Sequence, residues 1–208
     1  TLKAPGGGGV GTTAARAVNY AATTVHLATT AEGTAGSINI TTAGAEDIGD
    51  IATLTTHGSS LQHLHFRALS WTVDAPRNPH NDSLILEATG GSITDGDPGN
   101  GGSGIPLTGI AVGFIATGGI DVTTVTNNTA AASTGLGDIF IQNTGIPPTG
   151  TTTHLDVSTV ESTSGILSSG GDITVESTGN IIISHPIDTQ TTTGNIVITS
   201  TAAGGIVQ

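Results

Sequence analysis

The chain has 208 residues, of which 35% are apolar and 10% are charged, and its formal net charge at pH 7 is −12. Lys3, Arg16, Arg67 and Arg77 are the only fixed positive charges, too few to neutralise several phosphates, so nucleic-acid binding and docking to an anionic membrane are disfavoured. The absence of Cys excludes disulfides and cysteine-ligated metals. No apolar run approaches the roughly 18 residues that span a bilayer, so we expect no membrane insertion.

The sequence begins with short runs of strand-forming residues. Residues 12–28 are rich in Ala, but their β-branched residues and paired Thr favour strand over helix. Residues 35–44, AGSINITTAG, place apolar side chains at every second position, which is the period of a strand. Residues 118–128 repeat this alternation, and residues 50–58 and 153–162 show looser forms of it. The sequence therefore predicts an all-β chain with almost no helix.

Two segments interrupt the alternation. Residues 56–83 contain four of the seven His residues and the only Trp, and residues 95–109 are a Gly-rich stretch. Because loops carry most binding residues, we expect both segments to leave the regular coil and to hold the contacts with partners.

His63 and His65 are the first candidate metal ligands. Two positions apart on a strand, their imidazoles face the same way, and imidazole suits Zn, Ni or Cu. A third ligand would come from His57, Asp74 or His80. The alternative is a polar outer face that happens to carry His, since no compact set of third and fourth ligands is present.

Asp95, Asp97 and Asn100 are candidate ligands of a second metal ion, calcium, in a sequence that predicts no other cofactor. Their alternating oxygen ligands and intervening Gly resemble the start of a calcium loop, but the bidentate Glu of an EF-hand is missing. An ordinary turn rich in Asp and Asn is the alternative. Asp95 and Asp97 also suit the acid pair of a glycosidase, which keeps a polysaccharide-processing β-helix enzyme (hydrolase or lyase) open as an alternative function.

A short phrase, Gly then Asp or Asn then Ile, recurs in the second half of the chain at residues 137–139, 171–173, 179–181 and 194–196. Short strands that repeat one phrase are typical of a coil whose turns stack on one another, with Gly supplying positive φ at the corners. We therefore predict a right-handed parallel β-helix (β-solenoid) with short strands and two loop excursions, in which residues 1–208 form a single segment. These isoleucines should point inward in stacked columns: Ile38, Ile139, Ile173, Ile181 and Ile196.

Residues 84–100, LILEATGGSITDGDPGN, resemble filamentous-haemagglutinin-like exoproteins, the large β-helical secreted adhesins of bacteria. GDIFIQNTG at 137–145 and GGDITVESTGNIIIS at 170–184 resemble them too, and the resemblance covers most of residues 83–208. It implies a non-catalytic structural or adhesive protein, either secreted at the bacterial cell surface or in an extracellular filament. A host or matrix glycan or protein receptor would be its partner. No catalytic residues carry over from the family.

The two ends of the sequence raise a further expectation. The chain starts without Met and stops inside a strand-like phrase, which indicates a segment of a longer precursor or assembly. Residues 17–27 and 204–208 carry no Asp, Glu, Lys or Arg, the residues that normally blunt an exposed strand edge. We therefore expect end-to-end association with other copies, as in a filament subunit, or continuation in the parent chain.

Overall fold

The structure is a computed structural model, and it describes residues 18–19, 37–42, 44–48, 63–74, 83–95, 106–145, 154–191, 193–203 and 205–208. These residues contain no α-helix, and their regular structure is almost entirely strand. The prediction of an all-β chain is confirmed for them. In the same residues, no helix has the length and apolarity needed to cross a membrane.

Seventeen of the described strands form one sheet in which every pairing is parallel, and the sheet is curled as in a β-solenoid. The chain runs along one side, turns a corner, runs along a second side, and returns to stack on its previous turn. We call each turn a rung and name it by its strand on the first side.

Side one consists of β1 (Val18–Asn19), β2 (Ser37–Thr41), β4 (His63–Ala68), β6 (Ser83–Ala88), β8 (Leu107–Ala116), the second half of β9 (Ile120–Ser133), β11 (His154–Val157) with β14 (Ile166–Ser168), β16 (Asn180–Ile183) with β17 (Ile187–Asp188), and β19 (Ile206–Val207). Side two consists of β3 (Ala45–Asp47), β5 (Ser70–Val73), β7 (Ile93–Asp95), the first half of β9, β10 (Ile139–Asn143), β15 (Ile173–Ser177) and β18 (Ile196–Ser200).

Two strands are much longer than the short strands expected from the sequence. β8 has 10 residues and β9 has 14, because each strand continues around a bend, and the register between them is interrupted only at Ile110 and Asn127. Leu107 of β8 pairs with Thr124 in the middle of β9, so the two strands follow one another around the bend. Thr and Asn residues of β9 fill this bend, and Asn143 of the next rung accepts hydrogen bonds from the Thr124 hydroxyl and the Thr126 amide, both at 3.0 Å.

Side-chain alternation places the core inside the coil. In β4 the residues His63, His65 and Arg67 face outward, while the residues between them are buried. The same alternation recurs in β10 and β15, as strand geometry requires. Stacking the rungs joins the inward residues into columns, which form one main core.

The predicted isoleucine column exists on side two. Ile139 pairs with Ile173, and Ile173 pairs with Ile196. Ile139 and Ile173 are fully buried, whereas Ile196 is 44% exposed in the last strand of this side. Ile181 is also buried but stands in a side-one column, paired with Leu155 of β11. Ile38 pairs with Leu64, and its side chain lies outside the described residues.

Aromatic residues nevertheless fill part of the core. Phe66, Trp71 and Phe114 are buried side chains of the rungs before β9. The rings of Phe66 and Trp71 lie 6.4 Å apart, and the indole nitrogen of Trp71 donates a hydrogen bond to the Glu87 carbonyl at 3.1 Å. Three of the five aromatic residues of the sequence thus contribute to the core.

The prediction that residues 56–83 leave the coil is wrong for the middle of that segment. Within it, β4 and β5 pair on both edges with strands of the neighbouring rungs. The polar residues that suggested a loop are the outward half of an alternating strand, and Trp71 is an inward residue. For the second predicted excursion, Asp95 closes β7 and residues 107–109 open β8, so both of its ends belong to the sheet. Residues 56–62, 75–82 and 96–105 lie outside the described part of the chain.

An antiparallel hairpin interrupts side one between β11 and β14. It consists of β12 (Thr159–Val160) and β13 (Thr163–Ser164), and its two residue pairs are the only antiparallel pairs among the described strands. Gly165 follows it at φ +71°, where a Cβ would overlap the Pro186 carbonyl of the next rung. The hairpin therefore leaves the coil at a fixed point, and the chain resumes the side-one row at Ile166.

Candidate functional site

The repeated Gly-Asx-Ile phrase forms a ladder at the corner before side two. Asp138 Oδ1 accepts the backbone N–H of Asp172 at 2.8 Å. Asp172 Oδ1 in turn accepts the backbone N–H of Asn195 at 2.7 Å and the Asn195 side-chain amide at 3.2 Å. Asp138 and Asp172 thus each satisfy a donor of the next rung, a bond that a carboxylate strengthens. We call these three residues the Asx ladder.

The glycines of this corner serve close packing and not positive φ. A Cβ on Gly137 would come within 2.6 Å of the Gly119 Cα, and one on Gly171 would come within 2.7 Å of the Asp138 nitrogen. Neither glycine has a positive φ. The expectation that the phrase uses Gly for unusual φ is therefore wrong at these positions, and the reason for Gly is that successive backbones touch.

A groove of about 470 Å³ lies outside side two, next to the ladder. Its wall includes the carboxylates of Asp121, Asp138 and Asp172 and the ring of Phe140. Burial, and secondarily the charge of Asp95, raises the pKa of Asp121. Chemically, the groove offers hydrogen-bond acceptors beside one aromatic surface.

Neither Asp121 nor Phe140 was a sequence candidate, although a signal existed. Each directly follows an isoleucine that points inward: Asp121 follows Ile120, and Phe140 follows Ile139. The next residue of a strand must then point outward, so the alternation alone places Asp121 and Phe140 on the same outer row. What the sequence could not show is that the outer row borders a groove.

Asp95, a predicted calcium ligand, lies inside the coil. It is 8% exposed, stands in register with Val73, and accepts a hydrogen bond from the Thr123 hydroxyl at 2.8 Å. Its two partners in the calcium prediction, Asp97 and Asn100, are outside the described residues. One oxygen of Asp95 is thus engaged by the next rung, while the calcium loop itself stays a prediction.

His63 and His65 share an outer face, as predicted, but each contacts a carboxylate. His65 Nε2 lies 2.8 Å from Glu87 Oε2, and Arg67 donates to the other oxygen of Glu87 at 2.5 Å. The hydrogen bond from His65 lowers the pKa of Glu87, burial opposes this, and Arg67 lowers it further. This carboxylate is held between two nitrogen groups on the surface of side one.

His63 belongs to a separate contact with the hairpin. Its Nδ1 lies 3.0 Å from the Ser83 hydroxyl and also contacts Glu161 Oε1, which the Ser83 hydroxyl contacts as well. A Ser–His–carboxylate relay needs Ser and carboxylate on opposite ring nitrogens, whereas both lie at Nδ1 here. The arrangement therefore does not activate a serine. Glu161 is 98 residues from His63 in sequence, and no spacing pattern predicts the contact.

The described part of the structure does not bring the predicted metal ligands together. These residues include no group of three or more His, Asp or Glu side chains arranged to hold a metal ion. Asp74 is exposed at the end of β5, and the other proposed ligands, His57 and His80, are outside the described part. The transition-metal site at His63 and His65 stays a prediction.

Comparison of the chain with protein-family models, with curated proteins and with solved structures finds no match.

Proposed function

We propose that the chain is a segment of a right-handed parallel β-helix with a structural and adhesive role, without catalysis, in a secreted cell-surface or extracellular filament protein. The observation that carries the proposal is the Asx ladder, in which Asp138 and Asp172 each receive the backbone of the following rung. Carboxylates used in this way hold a long repetitive body together. The right-handed coil is supported by the strong bias of parallel crossover connections, about 98% of which are right-handed.

The outer surface supports an adhesive role. On side two the outward row contains Thr94, Asp121, Phe140 and Thr174, an uncharged-to-acidic strip with one aromatic ring. Stacked rungs present such side chains at the ~4.8 Å spacing of neighbouring strands, a regular array that can meet an extended partner over its length. A host or matrix glycan, or a protein receptor, is the partner that the resemblance to filamentous-haemagglutinin-like exoproteins favours.

The last described rung supports end-to-end contact. Among the described strands, β18 and β19 each pair along one edge only. Ile196 and Ile206 are 44% and 43% exposed there, and neither strand carries a charged residue. An uncharged edge above an apolar core is a template for another strand. The next strand comes from another copy or from the parent chain.

Sedimentation velocity and electron microscopy of the purified 208-residue chain test this proposal. We expect rods that lengthen with protein concentration. Ile196→Lys places a charge over the core and should abolish the lengthening, since Ile196 stacks on the buried Ile173. Val197→Lys is the matched control: it is similarly exposed but pairs with Thr174 on the outward row. Globular monomers at every concentration would contradict the structural role.

A second function, a polysaccharide-processing enzyme, is favoured by one observation: Asp121 and Asp138 line the same outer groove, and a raised pKa suits Asp121 to act as an acid. Two carboxylates flanking a sugar are what glycosidases use. Incubation with a panel of plant and bacterial polysaccharides, followed by assay for new reducing ends and unsaturated products, decides the matter. Cleavage that Asp121→Asn abolishes would replace the structural proposal with the enzyme.

A further inference from the structure

Hairpin β12–β13 lies on the outside of side one, over rungs that precede it in the chain. Val160, at its tip, is 1% exposed and packs against Ile85 of β6 and Ala130 of β9. With Ala111 and Ile115 they form an apolar cluster separate from the main core. These are outward positions of the sheet, which in β4 are occupied by His and Arg.

The surface beneath the hairpin is shaped to receive it. Ile85, Gly113 and Ala130 stand in register in one outward row. A Cβ on Gly113 would overlap Ile85 and would lie 3.2 Å from Val160 Cγ1. The row therefore has a glycine, which lacks a side chain, at the position that the hairpin crosses. The sequence has matched three separate rungs to one insertion that comes later in the chain.

A polar contact fastens the tip at its far end. Glu161, in the turn of the hairpin at φ 54°, contacts His63 of β4 and Ser83 of β6. The contact crosses the β9, β8 and β6 rungs, although a solenoid normally joins each rung only to its neighbours. The hairpin thus adds a long-range tie parallel to the axis of the coil.

The attachments of the hairpin are weak compared with those of the strands around it. It has two residue pairs of its own, one deeply buried aliphatic side chain, and a tip contact whose His63 and Glu161 side chains are 39% and 29% exposed. An isolated two-stranded hairpin is marginal in water, and segments with few buried apolar contacts open first. By contrast, β11 and β14 at its base pair with strands on both edges.

We propose that hairpin β12–β13 is a releasable strap. Closed, it ties the β11 rung to the β4 and β6 rungs through Glu161 and covers the apolar row of Ile85, Gly113 and Ala130. Open, it pivots at Ser158 and Gly165 and exposes that row as a flat apolar face while the coil stays folded. The Gly165 amide, which donates to the Ser158 carbonyl at 2.8 Å, closes the base of the strap. This inference does not depend on the adhesive role proposed above.

Hydrogen exchange of the full chain, read by mass spectrometry, tests the strap. We expect residues 158–165 to exchange through an opening that leaves β15 and β16 protected. Glu161→Gln removes the charge from the tip contact and should speed exchange of residues 158–165 about tenfold, the effect of losing one charge-assisted hydrogen bond. Glu176→Gln is the matched control, because Glu176 accepts a hydrogen bond from Gln142 on the outside of side two.

A disulfide lock supplies the opposite perturbation. The chain has no Cys, so Gly113→Cys with Val160→Cys introduces a single pair, and a Cβ on Gly113 would lie 3.3 Å from Val160 Cβ, close to the separation that a disulfide needs. The oxidised protein should protect residues 158–165 and bind less anilinonaphthalene sulfonate, a dye for exposed apolar surface, than the reduced protein does. Glu161→Gln should bind more dye than Glu176→Gln.

The proposal is overturned if β15 and β16 exchange together with residues 158–165, since the hairpin would then open only by global unfolding. It is also overturned if the oxidised and reduced forms of the cysteine pair give the same exchange and the same dye binding. A Glu161→Gln protein that matches Glu176→Gln in both measurements would show that the contact of Glu161 with His63 and Ser83 does not keep the strap closed.

Discussion

On side two, Ile93, Ile120, Ile139 and Ile173 stack in one column, whereas the matching column on side one changes from rung to rung. It runs through Phe66, Leu86, Phe114 and Ala131. Identical layers need only a repeated local phrase, so each of these four strands can serve as the template for the next, whereas Trp71 of β5 occupies the column before Ile93. Unequal layers must fit one another individually, with a small residue such as Ala131 next to a large one. We call side two, where these layers are alike, the interchangeable wall, and side one, where the layers differ, the fitted wall.

The largest expected effect tests the fitted wall. Phe114→Ala should lower the free energy of unfolding by about 3–5 kcal/mol, because the ring is fully buried between Leu86 and Ala131 and its neighbours cannot collapse into the cavity. Urea denaturation followed by circular dichroism measures this. Phe140→Ala is the control: it removes the same ring from the outer row of side two and should cost far less. Equal losses from the two variants would erase the distinction between inward and outward rows.

An intermediate effect tests the interchangeable wall at its corner. Gly137→Ala should destabilise the protein by about 1–3 kcal/mol, because the new methyl group would press on the Gly118–Gly119 backbone of the previous rung. Gly145→Ala adds the same methyl group where the nearest atom, Val125 Cγ1, is 3.7 Å away. The urea midpoints of the two variants measure the difference. A Gly137→Ala protein as stable as Gly145→Ala would show that the corners are not in close contact.

The smallest effect compares a carboxylate from each wall in acid. The pKa of Glu87 on side one is lowered from its ordinary value of 4.5, so its stabilising contribution is present above that pH and is lost as pH falls through the lowered folded-state value. The pKa of Asp121 on side two is raised from 3.8, so its protonation favours the folded state as pH falls. Each contribution is on the order of 0.5 kcal/mol, because both groups are near the surface.

Urea midpoints between pH 7 and pH 3 measure this contrast. Glu87→Gln should flatten the acid loss of stability, and Asp121→Asn should steepen it, because a stabilising protonation is removed. If both variants change the pH profile in the same direction, the environments of the two carboxylates do not differ as described.

The sequence predicted the repeated part of this molecule well and the fitted part poorly. The Gly-Asx-Ile phrase at Ile139, Ile173 and Ile196 is local, and a strand of that composition next to its own copy has one favourable arrangement. The Ile181 phrase looks the same but lies on side one, since a local phrase does not say which side of the rung it occupies.

The candidate sites were harder to predict because their partners are distant in sequence. His65 was singled out for metal, but its contact with Glu87 depends on which residue the next rung places beside it. Because the length of a rung varies, that neighbour cannot be located by counting residues along the sequence. Asp95 was placed in a loop because Gly and Pro follow it, whereas its register with Val73 draws it into the coil. Glu161 was overlooked because a hairpin tip can reach any nearby surface.

The corner glycines have a consequence for how such sequences should be aligned. Thr124 and its stacked partner Asn143 are 19 residues apart, while Gln142 and its partner Glu176 are 34 apart, yet both pairs hold the same register. The additional residues of a longer rung form insertions between corners, as hairpin β12–β13 does. The strands return to register at the corner that contains Gly171. A scoring profile for this chain should therefore be anchored at the Gly-Asx corners, with gaps allowed freely between them, because any fixed repeat length would misalign the rungs on either side of an insertion.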